Sequence, residues 1–307
     1  MQLRTGLRDF SFSAGELLLP QSIKTKGPLL ALRRAASFWA RDAFVLSYPK
    51  AGRTWFRTMI GYIINRQYEL ATDNPMEIQH FWKLSSRVPN IAFTHDDNPN
   101  LKFGSEVDTD KARYASKRIL FLTRDPRDVL VSYYFDAKNR MKVIDCSLSD
   151  YLRTQRGSID AIVAFYNAWA RARTRVRDFQ WISYEDMHVS PRTVLKKSAA
   201  FLQLPPPDDA LLDRAVEFAS FENLRKIELA DGFGHKRLRP ADPDNPDSFK
   251  VRRGKAGGYV DYFSADEIAF IDDYIARHLD PFFDIYQRPS CRDRANENGF
   301  KEPGLAG

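Results

Sequence analysis

The fold is decided by one stretch of the sequence, Tyr48-Pro49-Lys50-Ala51-Gly52-Arg53-Thr54-Trp55. It follows the apolar run from Phe44 to Tyr48, which predicts a buried strand. It precedes a segment, ending near Tyr68, in which apolar residues recur at helical spacing. A tight turn between a strand and a helix directs backbone N–H groups and the positive end of the helix dipole to one point. The stretch therefore predicts a phosphate-binding turn in an α/β fold.

The side chains of this turn suit an oxyanion. Gly52 lets the backbone approach the ligand, Lys50 adds a mobile cation, and Thr54 adds a hydroxyl donor. The lysine precedes the glycine, whereas the Walker pattern of ATP-binding loops places it after the glycine. This order argues against an ordinary ATP-binding loop. An ATP- and Mg²⁺-dependent phosphotransferase, with Asp125 as a metal-binding carboxylate, stays open as an alternative enzyme.

Further strands are predicted by apolar runs that alternate with amphipathic segments. Such alternation is typical of a three-layer α/β fold, a parallel sheet flanked by helices on both faces, as in the P-loop nucleotide-binding proteins. The predicted strands after the first are Ile91–Thr94, Arg118–Thr123 and Phe179–Tyr184.

Two helix starts and one long loop are also predicted. Ser190 can cap a helix that has Pro191 at its first position, and Ser264 with Glu267 forms a capping box. The Pro- and Asp-rich stretch between residues 232 and 249 predicts a long exposed loop of the kind that covers binding sites.

Two more basic segments have the composition of phosphate-binding sites. Arg124 ends the third predicted strand, and Ser132 follows it by eight residues on the next helix. Arg252 and Arg253 precede Gly254, so two guanidinium groups and a backbone N–H are available to one anion.

Together the three segments resemble those of the PAPS-dependent sulfotransferases, where PAPS is 3′-phosphoadenosine 5′-phosphosulfate, in a cytosolic-type, bacterial-like form. The first is similar to the family's phosphosulfate-binding loop and the second to its 3′-phosphate-binding segment. The third is similar to its C-terminal R-K-G-x-x-G loop, with Arg253 where lysine is usual. The resemblance runs from about Phe44 to Tyr286. It implies an enzyme that moves a sulfuryl group from PAPS to an acceptor hydroxyl or amine and releases PAP.

The resemblance also implies roles for single residues. His95 matches the catalytic base, and Lys50 is expected to stabilise the leaving phosphate. Trp55 matches the tryptophan that stacks on the base, while Tyr184 and Phe221 match residues near adenine. The predicted nucleotide site comprises Lys50, Ala51, Gly52, Arg53, Thr54, Trp55, Arg124, Ser132, Tyr184, Phe221, Arg252, Arg253 and Gly254.

Other polar residues are given no role in the site. The acidic pair Asp96 and Asp97 beside His95 lacks a second cluster, so no metal is expected. A non-catalytic protein that binds a nucleotide or a sulfated glycan on the same fold is the second alternative. The presence of both Lys50 and His95 argues against it. Structural or surface positions are predicted for His80, His188, His235 and His278.

Composition sets the remaining limits. The 307 residues include 47 Lys and Arg and 40 Asp and Glu, which gives a net charge of +7. This excess suits an anionic ligand but does not indicate nucleic acid. Cys146 and Cys291 lie far apart, which predicts no disulfide framework, and neither a secretory signal nor a membrane span is evident, so a cytoplasmic location is expected.

One sulfotransferase domain is expected at residues 43–288, between an N-terminal arm at 1–42 and a C-terminal tail at 289–307. The mixed basic and apolar residues 17–41 predict at most weak peripheral contact with a membrane. The acceptor, a small molecule, a glycan or a lipid, and the oligomeric state are left open.

Overall fold

A computed structural model describes residues 28–230 and 240–288 of the chain. The strands are β1 (Ala43–Ser47), β2 (Ile91–Thr94), β3 (Arg118–Thr123) and β4 (Asp178–Ser183). The α-helices are α1 (Pro28–Trp39), α2 (Arg53–Gln67), α3 (Phe81–Leu84), α4 (Pro126–Phe135), α5 (Leu148–Thr154), α6 (Ile159–Ala172), α7 (Tyr184–Val189), α8 (Pro191–Phe201), α9 (Asp209–Phe218), α10 (Phe221–Leu229) and α11 (Ala265–His278). A π-helical turn, Asp136–Arg140, continues α4. Short 3₁₀ turns occupy Pro75–His80, Pro99–Leu101, Gly104–Glu106, Ala112–Tyr114, Pro246–Ser248, Gly258–Asp261 and Pro281–Tyr286.

The four strands form one parallel sheet in the order β2-β1-β3-β4. This confirms the predicted α/β class, and each strand lies within one residue of its predicted position. The last strand ends before Tyr184 because Ser183 caps α7, its hydroxyl accepting a hydrogen bond from the N–H of Asp186 at 2.9 Å.

Both faces of the sheet are buried. Side chains of a strand alternate between the faces, so Phe44 and Leu46 join a core with α4, α6 and α11, whereas Val45 joins a second core with α2, α8 and α9. Because neither face meets water, each strand is a nearly continuous apolar run. This is why the strands were evident in the sequence.

The strand order creates a crevice at one edge of the sheet. From β1 the chain moves outward to β2, then returns across β1 to β3 on the other side. The connections that leave β1 and β3 therefore diverge, and a crevice opens beyond the carboxyl ends of these two adjacent strands. The turn at Lys50 follows β1 and Arg124 follows β3, so both predicted phosphate-binding segments lie at this crevice.

One of the two predicted caps differs from expectation. The capping box of Ser264 and Glu267 forms, and Pro191 is the first residue of α8. The side chain of Ser190, however, makes no capping hydrogen bond. Ser190 also ends α7, its N–H donating to the carbonyl of Asp186 at 2.8 Å, and its ψ of 61° differs from the extended conformation of a capping residue such as Ser183.

The predicted long loop is packed at its end. Residues 231–239 lie outside the described chain, and residues 241–244 are exposed. Ser248 and Phe249 are buried, and the guanidinium of Arg225 lies 3.1 Å from the centre of the Phe249 ring. The loop therefore returns to the core before it reaches Arg252.

The described part of the N-terminal arm is helix α1. Phe38 on this helix packs against Phe44 at 4.9 Å and Tyr114 at 5.2 Å between ring centres, whereas Trp39 is exposed. Residues 1–27 and 289–307 lie outside the described chain, so the domain limits and the membrane contact of residues 17–41 stay predictions. Within residues 28–230 and 240–288, every helix is too short or too polar to span a lipid bilayer.

A buried arginine joins the start of α4 to the C-terminal part of the fold. Arg127 is 1% exposed, and its guanidinium lies 3.2 Å from Asp125 and 2.6 Å from Asp272 on α11. It also donates to the carbonyl of Tyr286 at 3.1 Å. Arg127 therefore connects three segments that are distant in the sequence.

Replacing this arginine is expected to destabilise the fold. Arg127→Met leaves two partly buried carboxylates without their cation, a change that costs about 3–5 kcal/mol. Arg277 on α11 offers a matched control because its pair with Asp273 is exposed, and Arg277→Met should cost under about 1 kcal/mol. Urea unfolding of the two variants measures both losses, and equal losses would contradict the structural role of Arg127.

Candidate active site

A cavity of about 650 Å³ opens at the carboxyl edge of the sheet. It receives residues that follow all four strands, among them Lys50, His95, Arg124 and Tyr184. Every residue of the predicted site lines this cavity except Ala51. The side chain of Ala51 is fully buried, and its N–H donates to the carbonyl of Tyr48 at 3.4 Å.

The turn before α2 is built for close approach to an anion. Lys50 and Gly52 both have left-handed backbone angles, with φ of 70° and 91°. A Cβ atom on Gly52 would lie 2.4 Å from the ring of Tyr184, so only glycine fits there. The first turn of α2 contains no acidic residue, which leaves the positive end of the helix dipole uncompensated.

One carboxylate holds two cations at the cavity wall. Asp136 lies 3.0 Å from the Nζ of Lys50 and 2.9 Å from Arg140. Burial lowers the pKa of Lys50, and Asp136 partly offsets this effect. Burial also tends to raise the pKa of Asp136, but the attraction of Lys50 and Arg140 outweighs it and the pKa lies below its usual value. Asp136 is therefore ionised and fixes the resting position of Lys50.

The imidazole of His95 has a defined tautomer when it is neutral. Its Nδ1 lies 2.8 Å from the carbonyl oxygen of Ser47 at the end of β1. A carbonyl oxygen only accepts, so Nδ1 carries the hydrogen and Nε2 is the nitrogen that can take up a proton.

The loop after His95 is held in a strained conformation. Asp96, Asp97 and Asn98 have positive φ angles of 44°, 65° and 49°. The buried carboxylate of Asp96 binds Lys111 at 2.8 Å and the hydroxyl of Tyr114 at 2.8 Å. These contacts stabilise the strained loop and so position His95. Within the described ranges, no three His, Cys, Asp or Glu side chains are grouped as metal ligands are.

An aromatic cluster lies on another side of the cavity. The ring of His188 is 4.7 Å from Trp55 and 4.6 Å from Tyr184, centre to centre. Phe221 is partly exposed to the same cavity. His188 was predicted to be structural or on the surface, and the structure places it in the site instead. The cluster provides apolar ring surface on which a planar base can pack.

Among the buried guanidinium nitrogens without an acceptor in the described part of the chain, two belong to the predicted 3′-phosphate site. They are the Nε atoms of Arg124 and Arg252. Arg124 also pairs with Asp128 at 3.4 Å, and Arg252 with Asp247 at 3.2 Å. Buried donors are nearly always satisfied, so these two Nε atoms fit a ligand that brings acceptors, such as a phosphate. Ser132 lines the same cavity.

The segment that carries Arg252 is fixed through its backbone. The buried carboxylate of Glu228 accepts hydrogen bonds from the N–H groups of Lys250 and Val251 at 2.6 and 3.0 Å. Asp128 accepts from Gly257 and Tyr259 at 2.7 and 3.0 Å. These two carboxylates set the path of the loop across the cavity.

Sequence reasoning missed several residues of the site. Asp136 and Arg140 follow Ser132 at intervals of four residues, which places all three on one helix face, and Lys250 precedes Arg252 by two residues. These spacings were the available signals. The missed residues that line the cavity or fix its walls are Asp136, Arg140, His188, Glu228 and Lys250.

Comparison with known proteins gives one family. The model of the sulfotransferase domain matches residues 40–283. Cytosolic sulfotransferase 17 of Arabidopsis thaliana is 25% identical over 255 residues, which cover 75% of this chain and 72% of that protein. Flavonol 3-sulfotransferase of Flaveria bidentis is 24% identical over 259 residues, covering 78% of this chain and 81% of that protein. The crystal structure of mouse sulfotransferase SULT7A1 complexed with PAP has a TM-score of 0.56 at 19% identity, covering 84% and 89% of the two chains.

The close approach at Gly52 can be tested by a pair of alanine substitutions. Gly52→Ala adds both left-handed strain and the overlap with Tyr184, whereas Gly257, with φ of 71°, has no atom within 4 Å of an added Cβ. Gly257→Ala should cost about 1–2 kcal/mol from backbone strain, and Gly52→Ala about 1–3 kcal/mol more from overpacking. Denaturant unfolding measures the difference. An equal cost for both would show that the turn has room for a side chain.

Proposed function

This chain belongs to the sulfotransferase domain family, and on that premise we propose that it transfers a sulfuryl group from PAPS to an acceptor hydroxyl or amine, with His95 as general base and Lys50 at the leaving phosphate. One observation carries this assignment. The two side chains follow the adjacent strands β1 and β2 and line the same cavity, so a base and a cation can act on opposite sides of one reacting group.

The proposed reaction is an in-line displacement at sulfur. The acceptor oxygen or nitrogen forms a bond to sulfur as the bond from sulfur to the bridging phosphate oxygen breaks. The acceptor proton moves to Nε2 of His95, whose orientation is set by the bond from Nδ1 to Ser47. The negative charge that develops on the leaving phosphate is met by Lys50 and by the N–H groups at the start of α2.

The rest of the cavity fits the two ends of the nucleotide. Trp55, Tyr184 and Phe221 offer ring surface to the adenine. The 3′-phosphate is assigned to the basic residues whose buried Nε donors need acceptors, together with their neighbours: Arg124, Ser132, Arg252, Arg253 and Gly254. Arg53 and Thr54 line the cavity at the start of α2 and are assigned to the 5′-phosphosulfate. This arrangement selects PAPS over ATP, which has no 3′-phosphate.

The acceptor is proposed to be a small molecule. The similar flavonol 3-sulfotransferase is named for such a substrate. Residues outside the nucleotide-binding segments also line the cavity, including Asn98, Asn100, Tyr133 and Met141. Asn100 donates to the hydroxyl of Tyr133 at 2.9 Å, so this part of the wall offers both ring surface and polar groups to an acceptor.

The alternative phosphotransferase is not favoured. It assigned Asp125 to a metal, but this carboxylate caps α4 by accepting from the N–H of Arg127 at 2.9 Å and pairs with the Arg127 side chain. A transfer reaction that stops on chelation of divalent metal would nevertheless support it. The second alternative is a non-catalytic protein that binds a nucleotide or a glycan. Sulfuryl transfer that is lost when His95 is replaced would exclude it.

Removal of the base should abolish turnover and spare nucleotide binding. His95→Ala is expected to lower kcat by roughly 10²–10⁴-fold, the usual contribution of a general base, while the Kd of PAP stays unchanged. The measurements are transfer of labelled sulfuryl from PAPS to hydroxyl- and amine-bearing metabolites, and calorimetric titration with PAP. His278→Ala, at an exposed position on α11, is the control and should retain both properties. Lost PAP binding in His95→Ala would refute its role as a base.

Removal of a 3′-phosphate ligand should have the opposite signature. Arg252→Ala is expected to weaken PAP by about ten- to a hundredfold, because a charge-assisted hydrogen bond to phosphate contributes about 1.5–3 kcal/mol. Adenosine 5′-phosphosulfate lacks the 3′-phosphate and serves as the control ligand, whose Kd should barely change. Equal losses for the two nucleotides would mean that Arg252 does not bind the 3′-phosphate.

A further inference from the structure

One cation of the cavity differs from the others in its surroundings. Lys50 and Arg140 pair with Asp136, and Arg124 and Arg252 pair with carboxylates of their own. The side chain of Lys250 lines the same cavity. Within residues 28–230 and 240–288 it makes neither a hydrogen bond nor an ion pair.

The backbone position of Lys250 is fixed, although its ammonium makes no hydrogen bond or ion pair with the described residues. Its N–H donates to Glu228 at 2.6 Å, and its carbonyl oxygen lies 3.5 Å from the Nζ of Lys50. The backbone thus holds Lys250 directly beside Lys50, the residue proposed to stabilise the leaving phosphate. This backbone is anchored on the buried carboxylate of Glu228, so Lys250 stays at the cavity wall.

The groups around Lys250 come from two other parts of the wall. Lys50 in the turn before α2 and Arg53, the first residue of α2, face it from one side, and Asp136 and Arg140 face it from the π-helical turn. Asp136 is the carboxylate among them, and it already binds both Lys50 and Arg140. A partly buried ammonium beside three other cations is costly unless a ligand supplies negative charge. An anionic group of a ligand next to Lys50 would therefore stabilise this part of the cavity wall.

We propose that Lys250 is a further catalytic residue, which binds the oxygens of the transferring sulfuryl group and lets the site distinguish PAPS from PAP. This inference rests on the proposed function. PAP keeps the adenine, the 3′-phosphate and the 5′-phosphate, so the sulfuryl group is the part of PAPS that remains for Lys250. Contact with its oxygens holds the sulfur between Lys50 and His95.

The ionisation of Lys250 gives the proposal a pH signature. Burial, followed by repulsion from Lys50 and Arg140, lowers the pKa of Lys250 to about 7. The ammonium form, which binds the sulfuryl anion, thus prevails in the free protein below that pH and is lost as the pH rises above it. Affinity for PAPS should accordingly fall with rising pH, and the part due to Lys250 should be missing for PAP.

Calorimetric titrations with PAPS and PAP, without acceptor, test this inference. Lys250→Met should weaken PAPS about tenfold at pH 6.5 and PAP less than about twofold, since one charge-assisted contact is lost. The loss should shrink as the pH approaches 8.5. Lys250→Arg, which keeps its charge, should bind PAPS tightly at both pH values. Lys226→Met, at an exposed position on α10, is the control and should behave as wild type.

The outcomes separate this inference from the proposed function. Equal losses for PAPS and PAP, or unchanged PAPS affinity in Lys250→Met at pH 6.5, would overturn the role of Lys250 while leaving the nucleotide site intact. Wild-type protein that binds neither nucleotide would refute the proposed function, and the inference with it. Circular dichroism melting shows whether each variant is folded. If Lys250→Met does not fold, the pH dependence of PAPS binding by Lys250→Arg still tests the proposal.

Discussion

The structure depends on the burial of both faces of a parallel sheet. With helices packed on either side, polar side chains have no place along the strands and collect where the strands end. The order β2-β1-β3-β4 makes the chain leave β1 and β3 in opposite directions, which opens the crevice at their carboxyl ends. The turn at Lys50, the proposed base His95 and Arg124 meet there for this topological reason, although more than seventy residues separate the first from the last.

A site that collects cations must also keep them apart, and buried carboxylates do this here. Asp136 holds Lys50 and Arg140, Asp128 pairs with Arg124, and Glu228 fixes the backbone beside Lys250. Each acid restrains a cation or a loop without filling the cavity. Sulfotransferases use PAPS, which carries negative charge on both its phosphosulfate and its 3′-phosphate, so a preorganised cationic wall lowers the cost of reorganisation during the reaction.

Local patterns in the sequence were enough to predict the fold and most of the cavity wall. Buried strands appear as apolar runs, and a glycine between a strand and a helix predicts a phosphate-binding turn at Lys50. Arg124 and Arg252 were predicted from two other basic segments, and all three residues line the cavity. The spacing of Asp136 and Arg140 after Ser132 was a signal in the sequence, but the π-helical turn through which they reach the cavity was not. Lys250 depends on its contact with Glu228 twenty-two residues away. The prediction that the Ser190 side chain caps α8 was wrong, because Ser190 also ends α7 and its backbone is not in the extended conformation of a cap.

Glu228 fixes the backbone of the segment at Lys250 and Val251 without contacts that depend on the identity of their side chains. Among the described residues, the carboxylate of Glu228 accepts hydrogen bonds from the N–H groups of Lys250 and Val251, and every residue except proline has such a group. Natural variation or directed evolution can therefore exchange the side chains at 250 and 251 while the backbone beside Lys50 keeps its course. A change at Glu228, by contrast, would release the whole segment. Single substitutions at positions 250 and 251 can thus change which sulfuryl donor the cavity prefers, while the backbone of the segment keeps its position.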